Sequence, residues 1–250
     1  MHHIPDPESI LKPFFRSDDI RVPLQRLNAS LPSGAGLWII GGAPRNAIIE
    51  FIHGESPLTE DIDVFLANVD PDLSLPGLDL GGELRPTELG GIRWISDLSP
   101  YSFDIGLLPK FVIIEKFRLD PTPRSLLSAI DFDVNAIMWD WARQQALASG
   151  CVEAAARKVM DFNTTFVFDK LLLAYRILLI HHKTGFSLSK NIFDYIKTAV
   201  DLETLKKLKT TLVSKLGKRT GREIMKSCDG ICLCRSYEEH LAGMVKDINP

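Results

Sequence analysis

The run Leu37-Trp38-Ile39-Ile40 is stopped by Gly41-Gly42 and followed by a helical stretch over 44–53. This succession of strand, glycine turn and helix constrains the fold more than any other feature of the chain. Four apolar residues in a row suit a short strand buried on both faces, and glycine permits the abrupt turn from that strand into a helix. Pro44 fits a first helical turn, where its missing N–H has no intrahelical partner to lose. After a turn over 55–59, a second strand is expected at 62–66 and further strands at 91–96 and 102–108. The stretch 68–83 carries Pro71, Pro76 and several glycines and reads as a long, irregular loop.

Residues 1–36 are rich in proline and read as a lead-in of one or two helices, closed by the loop Pro32-Ser33-Gly34-Ala35-Gly36. From about residue 123 the pattern turns helical. Leu126, Leu127 and Ile130 precede Val134-Asn135-Ala136-Ile137-Met138-Trp139, and another helical segment spans 152–162. Helices are then expected at 168–182 and 190–200, through an amphipathic stretch carrying Leu202, Leu205, Leu208, Leu212 and Leu216, and in two shorter pieces near the end. The expected partition is a lead-in at 1–36, an α+β head of mixed sheet and flanking helices at 37–165, and an all-helical C-terminal domain at 166–250. A hydrophobic fraction of 45% is enough to give two such domains a core.

Targeting features are few. The start, Met1-His2-His3-Ile4-Pro5-Asp6, has neither the basic nor the apolar region of a signal peptide. The apolar run over 171–180 is interrupted by Arg176 and is shorter than the roughly 20 residues that span a bilayer. Three of the cysteines crowd together at Cys228, Cys232 and Cys234, which is unlike a secreted disulfide framework and points to a reduced, cytoplasmic setting. With 29 basic and 32 acidic residues the net charge is −3, so a polyanion would have to meet a local patch.

Three constellations carry chemistry. Gly41 and Gly42 let the backbone approach a phosphate at a helix N-terminus, and Arg45 adds a guanidinium beside it. The same glycines also serve a tight turn on steric grounds alone. In Thr59-Glu60-Asp61-Ile62-Asp63-Val64-Phe65, alternation along a strand puts Asp61 and Asp63 on one face and Ile62 and Val64 on the other. Paired carboxylates of this kind hold a divalent cation, or form a plain acidic strand end. Asp104, inside the apolar run Tyr101-Ser102-Phe103-Asp104-Ile105-Gly106, is costly to bury unless paired or metal-bound. It is the candidate third carboxylate, as metal ligand or proton acceptor.

Taken in order, Gly41-Gly42-Ala43-Pro44-Arg45-Asn46, Asp61-Ile62-Asp63, Asp104 and Asp131-Phe132-Asp133-Val134-Asn135-Ala136-Ile137 resemble the head motifs of class II tRNA nucleotidyltransferases and bacterial poly(A) polymerases. The resemblance covers about residues 37–162 and continues more weakly to Phe186. It implies a polymerase-beta-like head followed by a helical neck and body. It also implies Mg²⁺ or Mn²⁺ at Asp61, Asp63 and Asp104, a triphosphate held by Gly41, Gly42 and Arg45, and Asp131 and Asn135 near the sugar of the incoming nucleotide. Arg176, with Gly185-Phe186, matches the neck helix of that family and is a further nucleotide-binding candidate.

The pattern is broken in places. Asn46 stands where the family has Asp, and Ala129-Ile130 stand where paired arginines precede Asp131. The family's E-D-x-x-R element, whose Asp and Arg pair with the base of the nucleotide, falls on Asp169-Lys170-Leu171-Leu172-Leu173, which keeps only Asp169 as an acid. The expected activity is therefore metal-dependent transfer of NMP from an NTP to a hydroxyl on RNA, with the tRNA 3′ end as first acceptor and not by the standard CCA-adding route. The alternatives are a toxin or defence nucleotidyltransferase acting on a protein or a nucleotide, and an inactive binding module.

An RNA partner could meet Lys206, Lys207, Lys209, Lys215, Lys218, Arg219, Arg222 and Lys226, a run that equally suits a solvated helix. Cys228, Cys232, Cys234 and His240 are zinc-ligand types without the usual paired spacing. His181-His182 reads as a helix-end feature, and Trp38, Trp94, Trp139 and Trp141 read as core residues.

Overall fold

The computed structural model describes residues 6–87, 90–164, 166 and 169–248, and these fall into two compact units, 1–156 and 157–250. The first unit opens with helices α1 (Pro7–Phe15) and α2 (Asp18–Ala29). It continues through β1 (Gly36–Ile40), α3 (Gly42–His53), β2 (Asp61–Ala67), β3 (Glu83–Pro86), β4 (Ile92–Ile95) and β5 (Ser102–Leu107). Short helices α4 (Val112–Phe117) and α5 (Pro123–Ala129), strands β6 (Ile137–Asp140) and β7 (Gln145–Ala148), and α6 (Cys151–Arg157) follow. The strands form one seven-stranded sheet in the order β3-β4-β5-β2-β1-β6-β7. β2 and β5 pair in parallel, and the other neighbouring strands pair antiparallel.

Side-chain alternation divides this sheet by chemistry. One face presents Leu37, Ile39, Ile62, Val64, Trp94, Phe103, Ile105 and Trp139, all buried. α3 lies across β1, β2 and β6 on that side, α1 packs on α3, and Phe15 of α1 stacks on Trp139 with ring centroids 5.5 Å apart. The proline-rich lead-in thus contributes Ile10, Leu11, Phe15, Leu24 and Leu27 to the core. On the other face α4 and α5 cover only part of the sheet, through a cluster of Ile40, Leu126, Leu127, Ile130, Ala136 and Met138 with Trp38, Phe65 and Phe111 at its margin. The rest of that face carries Asp61, Asp63, Asp104 and Arg93, none fully buried.

In the second unit, β8 (Val159–Met160) pairs in parallel with β9 (Ser187–Leu188), on either side of α7 (Lys170–Thr184). α8 (Lys190–Ala199), α9 (Leu202–Leu233) and α10 (Tyr237–Ile248) complete it, with α9 packed on α7 and α8. Asp161 accepts hydrogen bonds from Ser189 Oγ (2.7 Å) and Asn191 Nδ2 (3.2 Å), tying the end of β8 to the start of α8. α9 is two helices in one: Gly217, at φ 81° and ψ 165°, breaks it in a conformation reserved for glycine. Among the described residues no helix is long and apolar enough to cross a membrane.

Several elements differ from the sequence reading. The helix after the glycine turn begins at Gly42 rather than Pro44, and an edge strand, β3, grows from the end of the expected loop. The segment around Ile137, read as helical, is strand β6, which is buried on both faces and so shows no period to distinguish the two states. β7 has the sequence Gln145-Ala146-Leu147-Ala148, whose alanines favour helix but whose pairing with β6 prevails. The helix expected over 152–162 ends at Arg157, because Lys158 takes φ 50° and the chain turns into β8. Phe168, the expected start of the neck helix, lies outside the described residues; α7 itself begins at Lys170.

Candidate active site

β2 and β5 run parallel with Asp63 directly opposite Asp104 and Asp61 opposite Ser102. Register partners point to the same face of a sheet, so Asp61, Asp63 and Asp104 share one patch although they are far apart in sequence. The glycine turn abuts this patch. Gly41 has φ 76°, and a Cβ built there would lie 2.4 Å from Asp63 Oδ2, so only glycine lets the turn sit against the carboxylate. α3 starts at the next residue without a side-chain cap, which leaves its first-turn N–H groups and the positive end of its dipole beside the aspartates.

Arg45 is buried and turned inward. Its Nε donates to Asn46 Oδ1 at 2.9 Å and its Nη1 to Asn135 Oδ1 at 2.8 Å, while Asn46 Nδ2 donates to Thr59 Oγ1 at 3.0 Å. The guanidinium therefore ties the glycine turn to the segment 131–135, with Nη2 placed 3.5 Å from a Cβ built on Gly42. Asn46 acts here as a neutral acceptor. Asp131 and Asp133 are buried and accept from the backbone N–H of Phe132 (3.0 Å) and Val134 (2.7 Å) respectively. Cys151 lies behind this segment, donating to Val134 O, and burial pushes its thiol up to about 12.

Arg93 is the site residue that the sequence reading missed. It stands on β4 directly opposite Asp104 and makes a two-pronged pair with it, Nε to Oδ1 at 2.7 Å and Nη2 to Oδ2 at 2.6 Å. Its Nη2 also lies 3.6 Å from Asp61 Oδ2. Its hydrogen bonds to Asp104, with the charges of Asp104, Asp61 and Asp63, hold the guanidinium more firmly protonated than usual, against the opposing effect of desolvation. No spacing in the chain announces this contact, because it depends on the β4–β5 register.

The donor types are those a hard divalent cation takes, carboxylate oxygens on one face and partly open to solvent, and the adjacent helix N-terminus is of the kind that suits a triphosphate. Among the described residues no three acidic, histidine or cysteine side chains are gathered closely enough to hold a metal ion. Both oxygens of Asp104 are engaged by Arg93.

Arg176 lies on α7 in the second unit, half-buried. At the position of the expected base-reading element, Asp169 caps α7 by accepting from Leu172 N at 3.0 Å, Lys170 is exposed, and Leu173 is buried. The basic residues from Lys206 to Lys226 lie on α9, where Lys207 pairs with Glu203 at 2.7 Å and Arg219 with Glu223 at 3.2 Å. Cys228 is buried within α9, and Lys197 Nζ donates to the carbonyls of Cys232 (2.6 Å) and Cys234 (2.9 Å) at its C-terminal end. His240 stacks on Phe193, with ring centroids 5.3 Å apart. His181 Nδ1 lies 2.6 Å from Phe186 O in the last turn of α7.

No family model matches the sequence, and no curated protein matches it. Solved structures do match. An apo CCA-adding enzyme is similar with a TM-score of 0.63 at 14% identity, over 91% of this chain and 54% of that one. The Thermotoga maritima CCA-adding enzyme complexed with tRNA_CCA gives 0.58 at 13% identity, over 91% and 54%. The Bacillus stearothermophilus CCA-adding enzyme in complex with CTP gives 0.53 at 15%, over 80% and 49%. The chain spans about half the length of these proteins. At these identities the likeness shows the fold alone: this chain folds as the matching half of those enzymes does, a mixed sheet with flanking helices followed by further helices.

Proposed function

We propose that this protein is a divalent-metal-dependent nucleotidyltransferase that moves an NMP from an NTP to a hydroxyl on RNA, with a tRNA 3′ end as the first acceptor to test. The observation that carries this reading is the placement of Asp61, Asp63 and Asp104 on one face of adjacent strands, against a glycine turn that opens a helix. CCA-adding enzymes of the same fold have been captured with CTP and with tRNA, which supports the same classes of ligand here.

In this reading Asp61 and Asp63 would hold Mg²⁺ or Mn²⁺, and Asp104 would join them as a third ligand once released from Arg93. A bound divalent ion supplies positive charge to the triphosphate and makes an acceptor hydroxyl easier to deprotonate. The first-turn N–H groups at Gly42 and Ala43 face the triphosphate, and Gly41 keeps the backbone close enough for them to reach it. Arg45 fixes that turn to the segment carrying Asp131 and Asn135, so the phosphate cradle and the sugar-side wall move as one piece. Positioning of this kind provides much of the acceleration in phosphoryl-transfer enzymes.

Base selection is expected to be weak or altered. A pair of hydrogen-bonding side chains that reads a base edge discriminates strongly, whereas Lys170 and a buried Leu173 offer no matching pair. The test is incubation with each labelled NTP, Mg²⁺ or Mn²⁺ and total RNA. Wild type should label RNA, and Asp61→Ala/Asp63→Ala should lose that labelling. Absence of labelling by wild type, or equal labelling by the double variant, contradicts the reading.

A further inference from the structure

We propose that Arg93 is a built-in counter-ion that occupies the carboxylate patch until a divalent cation displaces it, and so sets the affinity of the site for metal. The inference rests on the metal-site reading above and adds to it a residue whose role the motifs do not suggest.

Across β2, β5, β4 and β3, one row of register partners runs Asp63, Asp104, Arg93, Arg85. The neighbouring row on the same face brings Asp61 beside Asp63 and Glu83 beside Arg85. Glu83 and Arg85 satisfy each other at 2.6 Å, so the charge facing the three aspartates from this side is Arg93. Like charges on adjacent strands repel, and a guanidinium opposite them relieves that repulsion. Its fork takes both oxygens of Asp104 and reaches toward Asp61. A cation that needs Asp104 must compete with the guanidinium, because a carboxylate that gives one lone pair of each oxygen to a two-pronged arginine has its charge largely neutralised and only its outer lone pairs left for a metal. Arg93 is able to yield. Its side chain is 43% exposed and that of Asp104 24%, so water can reach the pair and take over the guanidinium hydrogen bonds when a cation claims the carboxylate.

Competition of this sort lowers apparent affinity by the fraction of time the site is free. The probe is Mn²⁺ alone, with free ion counted by electron paramagnetic resonance. Arg93→Gln should bind Mn²⁺ roughly tenfold more tightly than wild type, as expected if about one-tenth of wild-type sites are free of the pair. Arg93→Lys, which keeps the charge but loses the fork, should fall between them and provides the test if Arg93→Gln folds poorly without metal. Asp63→Asn should abolish the binding. If wild type binds Mn²⁺ through Asp63 while neither Arg93 variant binds more tightly, the counter-ion proposal fails and the metal site stands. If no protein binds Mn²⁺ at millimolar concentration, or Asp63→Asn leaves binding unchanged, both readings fail together.

Discussion

Gly41 shows how much one residue carries. Alanine there must adopt φ 76° with ψ −133°, a backbone conformation essentially confined to glycine, at a cost of roughly 1–3 kcal/mol, and its Cβ would push into Asp63 Oδ2. Displacing this carboxylate, a metal ligand in the proposed function, by about an ångström is expected to lower nucleotide incorporation about a hundredfold. Gly54 has the same φ of 76° but lies in the left-handed helical region with ψ −1°, and a Cβ there would meet nothing within 4 Å: Gly54→Ala should lose some stability to backbone strain and keep the activity. Initial rates and melting curves of the two variants make the comparison, and equal rates would remove Asp63 from the argument. Gly41, Asp61 and Asp63 were legible in the sequence because local rules place them, a strand-to-helix turn and a two-residue alternation. Arg93 was not, because its partner is set by strand register. Arg45 was legible as a cation near the turn, but its inward fork depends on Asn46 and on Asn135, whose distance along the chain hides the contact.

At the scale of elements, strands β1, β2, β4 and β5 could be read from short apolar or alternating runs. β6 and β7 could not: one is buried on both faces and the other is alanine-rich, so local pattern pointed away from the pairing that decides their structure. The helical unit carries a pH dependence of its own. Burial lowers the pKa of His181, aided by His182 and opposed by its contact with Phe186 O; burial also lowers that of His240, aided by His181. A histidine whose folded pKa lies below its unfolded value of about 6.5 stabilises the fold above that value and loses the contribution as pH falls through the folded pKa. His240 Nε2 also lacks a hydrogen-bond partner among the described residues. Thermal unfolding followed by circular dichroism should give a lower midpoint at pH 5.5 than at pH 7.5. His240→Phe should reduce that difference while keeping the stack on Phe193; an unchanged difference would assign the pH dependence to other groups.

For the whole molecule, the sequence conveyed an α+β head and a helical remainder, and the structure adds how the lead-in helices complete the head's core. In the helical half Asp169, the acid expected in a base-reading element, instead caps a helix. The basic residues on α9 remain the proposed face for RNA, although Lys207 and Arg219 already have acidic neighbours. The proposed chemistry depends on a site assembled in the head from β2, β5 and the N-terminus of α3. Crystals soaked with Mg²⁺ and a non-hydrolysable NTP put that assembly to a direct test. The ion should bind Asp61 and Asp63, with the triphosphate on the amides after Gly41 and the Arg93–Asp104 pair opened. Nucleotide bound elsewhere, or an ion that leaves Asp61 and Asp63 untouched, would contradict the account.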